Sequence, residues 1–221
     1  KREKYKTMID SLANNNREPG MTYLDEPLFA PSYDWKEARR VRGVYLELLN
    51  NDSEALWEEF LKHLDDDRYS LTIGRGNGMA MNYSVGSLCR HLAYDRLAIA
   101  FYEDLPTGDE GRPLVPKMRI WDDLAAWREE RKSKFLYELQ IDACQLAIDK
   151  VTQELELSAA EKRECRQKIN RRIAALKDAK KPVFRKQPSV EYEWYDADKA
   201  RRIRDRAGRK SQGDEPETEK K

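Results

Sequence analysis

Histidine and cysteine are scarce in this chain, two and three in 221 residues. That scarcity leaves no complete metal-ligand motif. Three thiols also cannot close a complete disulfide framework. Cys89 and Cys144 sit in apolar helical patterns and are expected to be buried as small hydrophobes. A Cys144–Cys165 bridge between adjacent helices would need an oxidising compartment. No apolar run approaches the roughly 18 residues that span a bilayer, so no membrane span is expected. The longest weakly polar stretch, Leu97 to Tyr102, is only a helix segment. The N-terminus has no apolar core of a signal peptide. A chain starting at Lys1 follows either a removed export leader or a trimmed boundary, which leaves a cytoplasmic and an exported location both open. Apolar residues are also under-represented at 39%, so one modest core is expected, with part of the chain outside it.

Charge is abundant, at 38% of residues, and it is unevenly placed. Residues 1–157 carry 22 Lys and Arg against 29 Asp and Glu, a balance of −7. Residues 158–210 carry 18 against 8, a balance of +10. A basic arm following an acidic body either binds a polyanion or folds back on its own body.

The periodicity predicts an all-α protein. Residues 1–13 form a short helix with Met8, Ile9 and Leu12 on one side, ended by Asn14 to Asn16 and Pro19-Gly20. Residues 17–33 are extended, with aromatic and aliphatic side chains pinning them to the body. Asp34 and Glu37 have capping-box spacing, and Val41, Tyr45 and Leu48 follow at helical period. Asp52 or Ser53 caps the next helix, whose stripe is Leu56, Trp57, Phe60, Leu61 and Leu64. The short link between the two predicts an antiparallel αα-hairpin. Tyr69, Leu71 and Ile73 alternate within a stretch read as a loop with a short strand, and Ser84 caps a third helix running to about Leu105. Leu48, Trp57, Phe60, Leu64, Leu88 and Leu92 are expected to be buried together. A long helix is predicted from about Trp121 to Leu157, and Ser158 with Glu161 opens another, with a narrow seam of Cys165, Ile169, Ile173 and Leu176. A narrow seam on a charged helix suggests a hairpin resembling a short antiparallel coiled coil. The expected domains are a helical body over 1–116, a long charged hairpin over 117–182, and an aromatic anchor with a flexible charged tail over 183–221. Residues 196–221 are expected to be disordered or a solvated helix.

Four stretches invite a chemical reading. His63-Leu64-Asp65-Asp66-Asp67 contains metal-binding residue types, but adjacent residues at a helix end point apart, and a solvated acidic corner is the simpler reading. In Cys89-Arg90-His91 the thiol and imidazole stand two apart and do not face one another on a helix. Gly74-Arg75-Gly76-Asn77-Gly78 resembles a phosphate-cradling loop in composition only, since no Gly-Lys-Ser/Thr follows. No Gly-x-Ser-x-Gly elbow occurs. No catalytic residue, cofactor site or metal site is therefore assigned. The candidate polyanion-binding residues are Arg201, Arg202, Arg204, Arg206, Arg209 and Lys210, downstream of Trp194 and Tyr195, because cations track phosphates and rings stack on bases. Asp196, Asp198 and Asp205 interrupt that run.

Tyr33-Asp34-Trp35-Lys36-Glu37 with Arg40-Val41, Asp66 to Thr72, and Asn82 to Gly86 with Cys89 form a pattern that resembles a group of uncharacterised proteins of planctomycete-type bacteria. The resemblance spans roughly residues 5–105. It implies no activity, cofactor or catalytic residue; many of the group begin with an export signal, so it favours a removed leader ahead of Lys1 over a trimmed boundary. The amphipathic helix pair also has a HEAT-like look, of the kind that builds interaction surfaces. The expected function is a non-enzymatic helical interaction or scaffold protein with a protein partner. The alternative is nucleic-acid association through residues 196–210.

Overall fold

The computed structural model describes residues 2–22, 24–74, 79–97, 123–155, 157–184 and 193–213. Eight helices lie among these: α1 (Arg2–Asp10), α2 (Trp35–Leu49), α3 (Glu54–Leu61), α4 (Val85–Leu97), α5 (Leu124–Glu129), α6 (Leu136–Gln153), α7 (Ala159–Ala179) and α8 (Ala197–Gly213). The chain is mostly helical but not all-α. Two small antiparallel sheets correct that expectation, β1 (Gly20–Met21) with β2 (Pro27–Leu28), and β3 (Tyr69–Gly74) with β4 (Ala80–Ser84). In the second sheet Leu71 pairs with Tyr83, Ile73 with Met81 and Gly74 with Ala80. β3 is buried on both faces from Ser70 to Gly74, so its backbone groups need partners, and β4 supplies them.

The packing divides the chain into two compact units. The first comprises Lys1–Asn51, Lys62–Cys89 and Gln187–Lys221, and the second Asp52–Leu61 and Arg90–Lys186. The six residues expected to be buried together are all buried. They belong to both units: Leu48, Leu64 and Leu88 to the first, and Trp57, Phe60 and Leu92 to the second.

In the first unit, α1 buries Ile9 and Leu12. The chain after it is tied to β3, with Asn14 N–H donating to the Tyr69 carbonyl and the Ser70 hydroxyl donating to the Leu12 carbonyl. α2 starts as predicted at Asp34, whose carboxylate accepts from the N–H groups of Lys36 and Glu37. Such a cap is worth about 1 kcal/mol. Glu37 departs from the expectation. Its carboxylate takes Arg40 at 2.7 Å and the Asn15 amide, while Asn16 Oδ1 accepts the Asp34 N–H at 2.7 Å. A partner from another segment has replaced the local one. Ser84 caps α4, accepting from Ser87 N–H at 3.0 Å. In the extended segment Phe29 and Tyr33 are buried, whereas Leu24 and Leu28 remain exposed.

In the second unit, the Trp57 indole of α3 donates to the Ala93 carbonyl at 3.1 Å. The long helix predicted over residues 121–157 is broken. α5 ends at Glu129, and α6 begins only after Phe135. Carboxylates make the break possible by satisfying the N–H groups of a fresh helix start. Glu138 accepts from Phe135 N–H at 2.8 Å and Glu54 accepts from Leu136 N–H at 2.6 Å. Arg131 and Lys134, in the link, both reach Asp142. α6 and α7 pack against each other, burying Leu139, Ala143, Ala147 and Val151 of one and Cys165, Ile169, Ile173 and Leu176 of the other. The Ser158–Glu161 capping box forms as read. Gln140 is fully buried and fully used, donating to the carbonyls of Arg96 and Val183 and accepting the Val183 N–H.

The predicted extension of the third helix to Leu105, the loop from Pro106 to Pro116 and the tail beyond Gly213 lie outside the described residues, as do residues 185–192 of the aromatic anchor. No helix among the described residues is long and apolar enough to cross a membrane.

Candidate functional site

The residues singled out for chemistry are engaged in structure. Asp66 accepts from the backbone N–H and the guanidinium of Arg68, which holds its carboxyl below its ordinary value. His63 Nδ1 stands 3.9 Å from Asp66. No cluster of metal-ligating residues occurs among the described residues. Cys89 is buried, and burial pushes its thiol up to about 12, so it holds its proton. His91 stands 3.6 Å from Asp95. Cys144 and Cys165 are buried free thiols, not a bridge. Of the glycine-rich stretch only Gly74 is described. Its N–H donates to the Glu193 carbonyl, and a Cβ there would lie 2.6 Å from Glu193 Oε2 and 2.8 Å from Glu193 Cβ. Glycine at this position therefore permits a close backbone approach rather than a phosphate cradle.

The basic arm is a helix with one buried edge. Ala200 and Ile203 are buried, and α8 packs on β2. Of the two expectations, a disordered segment or a solvated helix, residues 197–213 form a helix, with Ala200 and Ile203 buried along one edge. Two of the candidate cations face their own unit. Arg204 donates to the Phe29 carbonyl at 3.4 Å, and Arg206 pairs with Glu26 at 3.2 Å. Arg201 pairs with Asp198 at 2.8 Å on the surface. Arg202 is exposed and has no partner among the described residues. The side chains of Arg209 and Lys210 lie outside the described residues.

Next to the start of this helix, in the first unit, lies a cleft of about 100 Å³ with aromatic walls. Phe29 is its hub. Its ring centroid is 4.8 Å from those of Tyr33 and Trp35 and 5.5 Å from that of Tyr195. Such tilted and edge-to-face pairs add about 0.5–1.5 kcal/mol beyond their buried area. Trp194 closes the other side, in an edge-to-face pair with Tyr45 and with the Arg42 guanidinium 4.5 Å from its centroid. Arg39 and Arg42 of α2 line the rim.

A hydrogen-bonded chain fixes one wall. The Tyr33 and Tyr69 hydroxyls are 2.9 Å apart, Tyr69 reaches Thr72 Oγ1 at 2.8 Å, and Thr72 donates to Asn82 Oδ1 at 2.7 Å. Asn82 in turn donates to Glu18. Burial raises the Tyr33 and Tyr69 hydroxyls above their ordinary 10.0, so both stay protonated and serve as fixed hydrogen-bond groups. Burial likewise pushes Tyr195 up to about 12. The cleft offers no nucleophile paired with a base. What it offers is flat apolar surface beside two guanidinium groups.

Sequence reading placed Phe29 and Tyr33 in one anchor and Trp194 and Tyr195 in another, and missed that the two meet. The available signal was the density of aromatic residues in both stretches. Comparison with known proteins returned no match to a family model, a curated protein or a solved structure.

Proposed function

We propose that this chain is a non-enzymatic helical interaction protein that engages a protein partner through the aromatic cleft of its first unit. One observation carries the reading. Rings from residues 29–35 and 194–195 converge on an open cleft, and Arg39 and Arg42 at its rim make no ion pair among the described residues. A rigid aromatic surface beside arginines has the composition of an interface hot spot. The finer architecture belongs to the same reading: small helical packing units, a long charged hairpin built from α6 and α7, and a tail that extends beyond the docked helix.

A displayed random-peptide library panned on the chain supplies ligands even while the partner is unidentified. Bound peptides should shift the indole resonances of Trp35 and Trp194 and leave those of Trp57 and Trp127, in the second unit, in place. Ligands that move Trp57 and Trp127 instead, or none of the four, would refute the cleft as the docking site.

A second reading, nucleic-acid association through residues 196–210, is favoured by the exposed Arg202, without a partner among the described residues, beside Arg201. Arg204 and Arg206 weigh against it, because their charges already serve the first unit. Retention of RNA or DNA at about 50 mM salt, lost on Arg201→Glu with Arg202→Glu, would support it, since phosphate contacts are strongest at low salt.

A further inference from the structure

We infer that the cleft takes an extended, proline-containing peptide segment bearing acidic residues. The inference rests on the cleft being the docking site and names its occupant from size, wall chemistry and charge.

Size removes the larger ligands. Pockets for small molecules and cofactors run to about 300–1,000 Å³, and this one has about 100 Å³. It admits one ring or one branched side chain while the rest of the ligand runs across the surface. The walls favour proline among such groups. Flat Phe, Tyr and Trp faces with hydroxyl and indole tips suit a pyrrolidine ring, and a proline-rich segment is already extended before it binds. It therefore loses little conformational entropy on docking.

Charge then chooses between an acidic and a cationic ligand. Aromatic clefts also bind quaternary ammonium groups, but here one face of Trp194 and one face of Tyr195 already hold cations, which leaves Phe29, Tyr33 and Trp35 to the apolar ring of a ligand. Arg42 lies over Trp194, and Lys199 lies 4.2 Å from the Tyr195 centroid. Among the described residues the nearby carboxylates are engaged. Asp196 caps α8 by accepting the Lys199 N–H at 2.7 Å, Glu193 pairs with the Lys199 ammonium, Glu26 pairs with Arg206, and Glu37 pairs with Arg40. Among the residues that line the cleft, Arg39 and Arg42 carry positive charge that no described ion pair takes up. Arg39 is exposed, and its fork of donors matches a carboxylate.

The test is a fluorescence-anisotropy titration of the full chain with a labelled peptide of alternating proline and glutamate. Two control peptides replace proline by alanine or glutamate by lysine, and tetramethylammonium serves as an unlabelled competitor. The proline–glutamate peptide should bind and shift Trp35 and Trp194. Each control should bind about tenfold more weakly or worse, as loss of a favourable charge or apolar anchor implies. Arg39→Glu, at an exposed position that leaves the fold intact by circular dichroism, should weaken the acidic peptide and strengthen the lysine peptide. Tetramethylammonium should not displace the probe. If the lysine peptide or tetramethylammonium binds at least as well and shifts Trp35 and Trp194, the ligand class is wrong while the cleft reading survives. Binding of the acidic peptide that ignores Arg39→Glu overturns the inference. So does the absence of binding by any probe, and the cleft itself is then judged by the library screen alone.

Discussion

Replacing Gly86 with alanine sets two well-known effects against each other. Gly86 lies in the first turn of α4, where helix propensity alone favours alanine by about 1 kcal/mol. The packing opposes it. A Cβ on Gly86 would stand 2.5 Å from the Leu64 carbonyl oxygen and 2.9 Å from both N and O of Asp66. These are backbone atoms of the turn after residue 61, not ends of flexible side chains. The turn cannot retreat freely, because Gly86 N–H donates to the Asp66 carbonyl at 2.8 Å and Val85 N–H to the Arg68 carbonyl at 2.9 Å. Overpacking costs about 1–3 kcal/mol, and contact with fixed backbone belongs at the upper end, so a net loss of roughly 2 kcal/mol is expected after the propensity gain. Urea unfolding followed by circular dichroism measures it. Gly43→Ala in α2 is the matched control, since nothing lies within 4 Å of its Cβ position, and it should raise stability by about 0.5–1 kcal/mol. A Gly86→Ala protein as stable as Gly43→Ala would show that the turn does not approach α4 this closely.

Three further outcomes are expected. Gln140→Leu should cost about 1–3 kcal/mol in urea unfolding, because the Val183 N–H and the Arg96 and Val183 carbonyls lose a buried partner; an unchanged midpoint would show that water or another group replaces it. Arg68 lowers the Asp66 carboxyl below 3.8, and Arg40 lowers the Glu37 carboxyl below 4.5. A depressed acid adds stability above its ordinary value and loses it as pH falls through the lower folded value, so stability should fall as pH drops below about 4, and Asp66→Asn should flatten that fall. The three buried thiols should be inert to a thiol-labelling reagent at pH 8 in the native protein and react fully in denaturant; fast native labelling of Cys89 would contradict its burial.

Features decided within four residues of chain were legible in the sequence. Asp34, Ser84 and Ser158 cap helices as their spacing implies, because the donors they serve lie two or three residues away. Features decided by a distant partner were not. The carboxylate of Glu37 was assigned to the Asp34 N–H, but Asn16 took that donor and Arg40 took the carboxylate. The break between α5 and α6 was hidden partly for the same reason, since Glu54, which accepts from Leu136, is 82 positions away, and partly because the local contact of Glu138 with the Phe135 N–H follows a Phe rather than a Ser, Thr, Asp or Asn cap. β3 was half-visible. Its alternation was plain, but the strand that pairs with it, Ala80–Ser84, carries Asn82 and Ser84 and has no strong strand pattern of its own.

The same distinction explains why the candidate site moved. Net charge counts every cation in a segment, whereas a partner meets only those that the fold leaves unspent. Arg204 and Arg206 drew attention because they lie in a basic run, yet their partners, the Phe29 carbonyl and Glu26, come from the other end of the chain. Arg39 drew none, because it stands in a predicted helix that was read for its apolar stripe, with Glu37 two residues before it. In the fold Glu37 belongs to Arg40 and Asn15, which leaves Arg39 without an ion-pair partner among the described residues at the edge of an aromatic cleft. A charge becomes available for binding by subtraction, and the subtraction needs every long-range ion pair. The aromatic rings follow the same logic in reverse. Trp194 and Tyr195 read as a single anchor, and they become one wall of a site only once Phe29 and Trp35 supply the other.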